Sequence, residues 1–468
     1  MSPPSGAEPP TPSTVPSPTF RDPAGSLQLE AGFAVRTIHP AARDQVLAFL
    51  ASPLRQRLEA RGDMVATTID DSPSGLRLLH PRIAVPSYPW EWTPGQWLAA
   101  AELTLSLCDE ALTDGSILKD ATPLNILFVG PRPVLVDVLS FEPQTPGDST
   151  WLAYAQCVRT FLLPLLMLRL LRWPLALTIF HRDGYEPAEL YAALRWPQRL
   201  SRAAFFPITL PALLEKRSSG QPAKPAAPKD PGLALHILRR TLSSLRRRTQ
   251  RALPHSAKSE WSGYTGSLTH YTLEQSAAKL AFVRDALVEL NPACVLDIGA
   301  NTGDYSALAA SFGARVIALE RDAASADRIF ALSRERNLDI LTLHADLARP
   351  TPAAGWENSE STALLPRLEG RADLVLLLAV LHHLLLMEQI PILSILGLLH
   401  RLTRRYLLLE WVPPSDPMFQ SLLRGRDELY GALSEDDLLA ACSGLFRALR
   451  RETLTNGRVL FLMERVPA

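Results

Sequence analysis

A chain of 468 residues is too long for one ordinary domain and predicts two or three. Its apolar fraction of 47% is ample for buried cores, and a formal net charge of zero speaks against a chain whose overall balance selects nucleic acid. The four cysteines, Cys108, Cys157, Cys294 and Cys442, are far apart and form no C-x-x-C pair, which argues against a zinc site or a disulfide framework and for a reducing, cytoplasmic setting. No basic-then-apolar segment opens the sequence, so no secretory signal is expected.

Residues 1–26 are rich in Pro, Ser, Thr and Ala and are expected to form a disordered tail, because they bury too little apolar surface to offset ordering entropy. Residues 27–212 read as an N-terminal accessory domain of α+β type. Asp44 to Arg61 reads as one amphipathic helix, and His80 to Trp92 as an aromatic, proline-punctuated extended segment. Thr93, with Pro94 just inside, starts a helix that runs to Thr113. A loop and hairpin follow, turning at Gly130-Pro131 and carrying Asp120, Asn125 and Asp137 at their edges. The apolar run within Trp151 to Phe180 is interrupted by Arg169, Arg172, Pro164 and Pro174. A membrane span needs about twenty apolar residues with few charges, so a buried helix and no transmembrane segment are expected.

The spacing of Asp120, Asn125 and Asp137 resembles the catalytic centre of kinase-like small-molecule phosphotransferases. The resemblance implies a base at Asp120 and magnesium ligands at Asn125 and Asp137. The sequence departs from that pattern in three ways, the first being that Lys119 stands near where a histidine is often found. Lys119 is the first lysine of the chain, so none precedes the loop to hold nucleotide phosphates, and no glycine-rich phosphate loop stands upstream. The expectation is a degenerate kinase-like module that binds a partner or substrate, or a hairpin whose polar residues cap turns; no metal ligand is assigned.

Residues 213–258 read as a basic, flexible linker. Within it, 235–253 is helix-compatible and carries Arg239, Arg240, Arg246, Arg247, Arg248 and Arg251. Weak contact with an anionic membrane surface is open to such a run. No aromatic residue interleaves the arginines, so no specific nucleic-acid partner is expected.

Residues 259–468 read as a third unit. Trp261 to Tyr271 is polar and aromatic and is placed to fold over a ligand, with Tyr264 and Tyr271 as candidates; a helix from Leu273 to Leu290 follows. Then comes an apolar run ending in Asp297, the turn Gly299-Ala300-Asn301-Thr302-Gly303, and a helix. A second strand ends in Glu320. A strand, a glycine turn and an acid at the next strand tip form a nucleoside-binding unit. The turn is not G-x-G-x-x-G: acids near it disfavour a pyrophosphate and favour a cationic ligand. A third strand ends at Asp346-Leu347. Asp373 to Val380, containing Ala379, is a nearly continuous apolar run, as expected for a central parallel strand. His382 and His383 follow, where an imidazole can take a proton near neutral pH. Arg405 to Val412 reads as a fifth strand containing Glu410. Asn456-Gly457 between two further runs signals a closing hairpin.

The D-x-G-x-x-x-G pattern resembles the first motif of class I S-adenosylmethionine-dependent methyltransferases. The resemblance implies a Rossmann-like α/β domain with a seven-stranded sheet closed by an antiparallel hairpin. It implies that the turn residues Asp297 to Gly303 hold the methionine part of the cofactor and Glu320 the ribose. Asp346 would face the adenine amino group, with Leu347 and Ala379 beside the cofactor. His382 and His383 are the candidate bases, and Glu410 is a candidate to orient substrate or a lid residue, or to pair with an arginine. Over its length the chain also resembles bacterial two-part proteins, some labelled nodulation-protein-like methyltransferases. This rests on His80-Pro81-Arg82-Ile83, Leu118-Lys119-Asp120-Ala121, Asp137 to Glu142, Val380 to Leu384 and Val412 to Met418. Methyl transfer to an oxygen or nitrogen of a small molecule is the expected reaction. The rivals are a scaffold that binds the cofactor without catalysis and an NAD-dependent oxidoreductase; the glycine pattern and the closing hairpin count against the latter.

Overall fold

The computed structural model describes residues 22–30, 32–73, 75–215, 230–254, 271–423 and 431–467. The N-terminal half begins with a four-stranded antiparallel sheet. Its strands β1 (Gly25–Glu30), β2 (Phe33–Ile38), β3 (Thr68–Ser72) and β4 (Gly75–Pro81) lie in the order β1-β2-β4-β3. β1 therefore starts inside the segment expected to be a tail, and pairs Ser26 with Thr37. Along β4 the buried residues alternate as Leu76, Leu78 and His80, the period-2 pattern of a half-buried strand. The single helix expected over Asp44 to Arg61 is two, Arg43–Leu50 and Pro53–Arg61. Pro53 has no N–H to continue the first helix, and Ser52 caps the second by accepting from the Arg55 amide at 3.2 Å.

The helix Pro94–Ala111 starts as expected, with Thr93 and Gln96 closing a reciprocal capping box. Next come β5 (Ser116–Leu118), β6 (Ile126–Val129), β7 (Arg132–Leu135) and β8 (Phe141–Pro143); β6 and β7 form the expected hairpin and β8 pairs with β5. Tyr154–Leu171 is long and apolar enough to cross a membrane by composition, but 56% of it is buried in the fold, with Phe161 to Met167 at its core.

The basic segment is not a flexible linker throughout. Pro231–Ala252 is a helix whose stripe Ala234, Leu238, Leu242, Leu245, Thr249 and Ala252 is buried. It packs on the helix Pro94–Ala111, where Gln250 donates to Glu102 at 2.8 Å and Arg246 to the Ser106 hydroxyl at 3.0 Å. Its apolar face is thus occupied, and it cannot insert into a membrane as a free amphipathic helix. The remaining linker residues 216–229 and 255–258 lie outside the described residues, as does most of the expected tail.

In the C-terminal half the helix Leu273–Leu290 precedes a seven-stranded sheet. Its strands are β9 (Cys294–Ile298), β10 (Arg315–Glu320), β11 (Ile340–His344), β12 (Ala372–Leu377), β13 (Thr403–Trp411), β14 (Phe446–Thr453) and β15 (Val459–Arg465). They lie in the order β11-β10-β9-β12-β13-β15-β14, parallel except for β15, which runs antiparallel to both β13 and β14. Leu374 to Leu377 are wholly buried, because a central parallel strand is covered on both faces. The parallel register carries the C-terminal ends of β9, β10 and β12 to one edge of the sheet.

The two halves are docked. Glu91, fully buried, takes a two-pronged ion pair from Arg367, with one N–O distance of 2.9 Å; the Thr351 hydroxyl also donates to it. The Arg367 guanidinium stacks 4.7 Å from the Tyr88 ring centre. Gln96 donates to the Thr342 carbonyl at 3.1 Å, and Phe128 meets Phe330 edge-on at 5.9 Å. Gly95 lets the backbones meet: a Cβ there would stand 2.7 Å from the Asp327 carboxylate that accepts its N–H. The aromatic, proline-punctuated stretch of the sequence is therefore the joint between the halves.

Candidate functional site

The glycine turn follows β9. Gly299 (φ +72°) and Gly303 (φ +89°) adopt the left-handed region, and a Cβ on Gly299 would lie 2.5 Å from a Val380 methyl carbon. Asn301 is also left-handed (φ +51°), a conformation asparagine tolerates better than most side chains. This aims its amide N–H at Glu320, 2.7 Å away. The other Glu320 oxygen accepts from the Asp322 amide at 2.7 Å. The carboxylate is thereby fixed by two backbone donors, with further lone pairs on each oxygen for the vicinal hydroxyls of a ribose. Burial raises its pKa, opposed by those two amides.

Asp297 lies beneath the turn, 2% exposed, and accepts from the Ser306 hydroxyl at 2.6 Å. Burial pushes its pKa up to about 6. Ala300 is buried under the turn, and the Thr302 hydroxyl faces Asp304 at 3.4 Å. Asp346 holds its own loop, accepting from the Ala348 amide at 2.9 Å and pairing with Arg349 at 3.1 Å; Leu347 is buried beside it. Ala379, just past β12, has φ +56°, a strained angle for alanine of the kind that collects at functional sites.

The turn, Glu320, Asp346 and Ala379 therefore gather along one edge of the sheet. Two buried polar groups there have no hydrogen-bond partner among the described residues: the Asn301 side-chain oxygen and both ring nitrogens of His382. Buried polar atoms without a partner also occur elsewhere among the described residues, at Trp90 and Tyr185 for example; these two lie along the sheet edge where the resemblance puts the cofactor. An S-adenosylmethionine molecule fits this set of groups: acids for its cation and ribose, and a turn open to close backbone approach.

His382 and His383 lie with ring centres 4.3 Å apart and planes tilted by 39°. Burial, and then the neighbouring His383, lowers the pKa of His382 well below its usual value. Burial likewise drops His383 to about 4, aided by Arg321 and Arg458. Both shifts favour the neutral imidazole and make each ring a weaker base than an ordinary histidine.

Glu410, near the end of β13, is fully buried, and it holds the lid candidate Tyr271 and lies by an arginine, two of the roles open to it in the sequence; Lys279 and Asp416 were not foreseen in this network. Glu410 takes an ion pair from Lys279 at 2.7 Å, a hydrogen bond from the Tyr271 hydroxyl, and lies 3.6 Å from Arg458. Arg458 donates to the Tyr271 oxygen and pairs with Asp416 at 2.8 Å. Burial pushes Glu410 up, but Lys279 and Arg458 outweigh it and its pKa is lowered. The carboxylate is therefore held by cations and positions Tyr271. Lys279 left a readable signal: it shares the buried face of its helix with Phe282, Val283 and Ala286. Tyr264, the other aromatic candidate, lies outside the described residues.

The kinase-like centre is wired otherwise. Arg36, on β2 and 3% exposed, forms an ion pair with Asp137 at 3.0 Å and reaches Asp22 at 3.5 Å. Asp137 also accepts from the Ser140 hydroxyl at 2.9 Å and the Leu139 amide at 3.2 Å. Asn125 spends its amide nitrogen on Ser140 at 3.0 Å. Burial raises the pKa of Asp120, and of the charges around it Asp137 and Asp22 push the same way against Lys119. A guanidinium stands at the carboxylate where the resemblance implied a metal ion. Among the described residues no three His, Cys, Asp or Glu side chains converge to hold a metal.

The strand order, with the glycine turn after β9 and acids at the ends of β10 and β11, is that of the class I S-adenosylmethionine-dependent methyltransferase fold. No family model matches the chain. It is 28% identical over 469 residues to the nodulation protein NoeA of Rhizobium meliloti (strain 1021), covering 96% of this chain and 95% of that protein. Among solved structures it is similar to the bifunctional kinase-methyltransferase WbdD, with 19% identity and a TM-score of 0.31 over 42% of this chain and 40% of that one. It is also similar to the magnesium protoporphyrin IX methyltransferase ChlM of Synechocystis PCC 6803 with bound SAH, with 18% identity and a TM-score of 0.32 over 41% of this chain and 84% of that one. The chain thus spans about two-fifths of WbdD. With likenesses of this size, the fold assignment rests on the strand order itself.

Proposed function

We propose that the chain transfers the methyl group of S-adenosylmethionine to an oxygen or nitrogen of a small-molecule acceptor, in the cytoplasm. The observation that carries this reading is Glu320, fixed by the Asn301 and Asp322 amides so that its remaining lone pairs meet a ribose. When bound, the cofactor supplies an electrophilic sulfonium methyl. The protein's part is to align the acceptor, exclude water and receive the leaving proton. Glu320 and the turn Gly299 to Gly303 hold the nucleoside and methionine ends, and Asp346 meets the adenine on this reading only if its exposed ion pair with Arg349 gives way. His382 is our candidate to receive the proton, a reading supported by its burial and its unpartnered ring nitrogens among the described residues. Its low basicity in the free protein suits an acceptor that is itself acidic, such as a phenol or carboxylic acid. Glu410 with Lys279 and Arg458 positions Tyr271 at the same site.

The N-terminal half serves as a substrate- or partner-presenting module, because Arg36 occupies the carboxylate a nucleotide-bound metal would need. A scaffold that binds the cofactor and modifies nothing is the second reading, favoured by the same low basicity of the histidines. Isothermal titration of the full chain with S-adenosylmethionine tests the first step; tight binding of NAD and none of S-adenosylmethionine would sink it. Incubation with methyl-labelled cofactor and a cell extract separates enzyme from scaffold, since only the enzyme labels an acceptor. A thermal shift with ATP and magnesium tests the module; no shift is expected.

A further inference from the structure

The basic helix and the region before it are not absorbed by methyl transfer. On Pro231–Ala252 the side opposite the buried stripe carries Arg240, Arg247 and Arg251, spaced i, i+7 and i+11 and all exposed. None of the three has a carboxylate within ion-pair distance among the described residues. Next to the same helix, which its Arg248 joins to Phe206, several large apolar side chains are exposed: Trp196 (72% exposed), Leu200 (61%), Phe206 (56%) and Leu214 (54%). One direct contact joins the run to the helix, and two more reach the helix Leu163–Leu171 that lies against both. The Arg248 guanidinium stands 5.6 Å from the Phe206 ring centre. Arg169 donates to the Arg251 carbonyl. Gln198, beside Trp196, donates to the Leu170 carbonyl at 2.9 Å.

We propose that this face docks on an anionic bilayer surface, with the arginine stripe over the headgroups and Trp196, Leu200, Phe206 and Leu214 in the interfacial layer. Stable peripheral binding takes two signals, apolar contact and positive charge, and here they are side by side. Large apolar side chains exposed together mark an interaction site, and tryptophan suits the boundary between water and hydrocarbon. A second copy of the chain fits poorly, because a two-fold contact would set the arginine stripe against itself. Nucleic acid would match the arginines and could stack on Trp196 or Phe206, but it would leave Leu200 and Leu214 in water, and retention on single-stranded DNA by a chain that ignores vesicles would overturn the proposal.

Flotation of the full chain with vesicles of phosphatidylcholine plus phosphatidylglycerol, and with phosphatidylcholine alone, tests this. Binding to the mixed vesicles only, weakened by salt, is expected. Arg240→Glu with Arg247→Glu and Arg251→Glu should lower the partition coefficient about 100-fold. Trp196→Ser with Phe206→Ser should lower it about tenfold, even at low salt. Each variant is compared at a wild-type melting temperature, and glutamine replacements serve if the charge reversal does not fold. Equal binding to both vesicle types, no binding to either, or wild-type partition of the arginine variant would overturn the proposal. So would a dimer dissociated by Trp196→Ser in a chain that ignores vesicles; that result would assign the face to self-association.

Discussion

Glu320 and Asp137 are both partly desolvated carboxylates near strand ends, and they are satisfied in opposite ways. Glu320 is held by two neutral backbone donors, which fix its direction and leave its charge for a ligand. Asp137 is met by a guanidinium, a hydroxyl and an amide of its own domain, which leave little for anything else. Residue type and spacing suggested a ligand at both. A carboxylate is available only when no internal cation has claimed it, and that depends on a residue distant in sequence: Arg36 lies on a different sheet from the hairpin that carries Asp137.

The sharpest break in this comparison comes from the joint between the regions. Arg367→Ala leaves Glu91 charged and fully buried, and should cost about 3–5 kcal/mol in urea unfolding. Adding Glu91→Ala should recover part of that loss, and strict additivity would show that the pair is uncoupled. Next, Arg36→Met removes the internal cation from Asp137 and Asp22, with an expected loss of about 3 kcal/mol and no change in cofactor affinity. Unchanged stability would mean that Arg36 does not neutralise the site. Glu320→Ala should do the reverse. Calorimetry should show about 100-fold weaker cofactor binding, near 2.7 kcal/mol, and full retention of affinity would remove the ribose assignment.

The smallest effect is a pH dependence. The folded pKa of Asp297 is about 6, above its ordinary 3.8. The folded state therefore binds this proton more tightly than the unfolded state, and the favourable contribution is lost as pH rises from about 4 to about 6. Asp297→Asn has no such loss. Relative to the variant, the cofactor-free wild type should fall in stability by about 2 kcal/mol across that window, and parallel melting curves would contradict the shift.

Most of the C-terminal sheet was legible in the sequence, because its signals are local. Buried parallel strands are continuous apolar runs, and Asn456-Gly457 announces the closing hairpin between β14 and β15. The glycine turn was legible because Gly299 and Gly303 need angles that few other residues accept. The N-terminal sheet was not. β3 reads Thr-Ile-Asp-Asp-Ser, a polar edge strand with no apolar stripe, and β1 follows a stretch with the composition of a tail. The helix Pro231–Ala252 was readable as a helix but not as a packed one, since its leucine stripe has meaning only against a partner face.

By itself, then, the sequence determined the strand succession, the turn and the acids at the next two strand ends, all set by backbone geometry and periodicity within short windows. The tertiary structure alone decided which charges are still free to act. Glu91 and Arg367 lie 276 residues apart, Lys279 reaches Glu410 from a separate helix, and Arg36 reaches Asp137 from another sheet. A charge buried in a low-dielectric interior must find a counter-charge wherever the chain brings one, and no local pattern says where that will be.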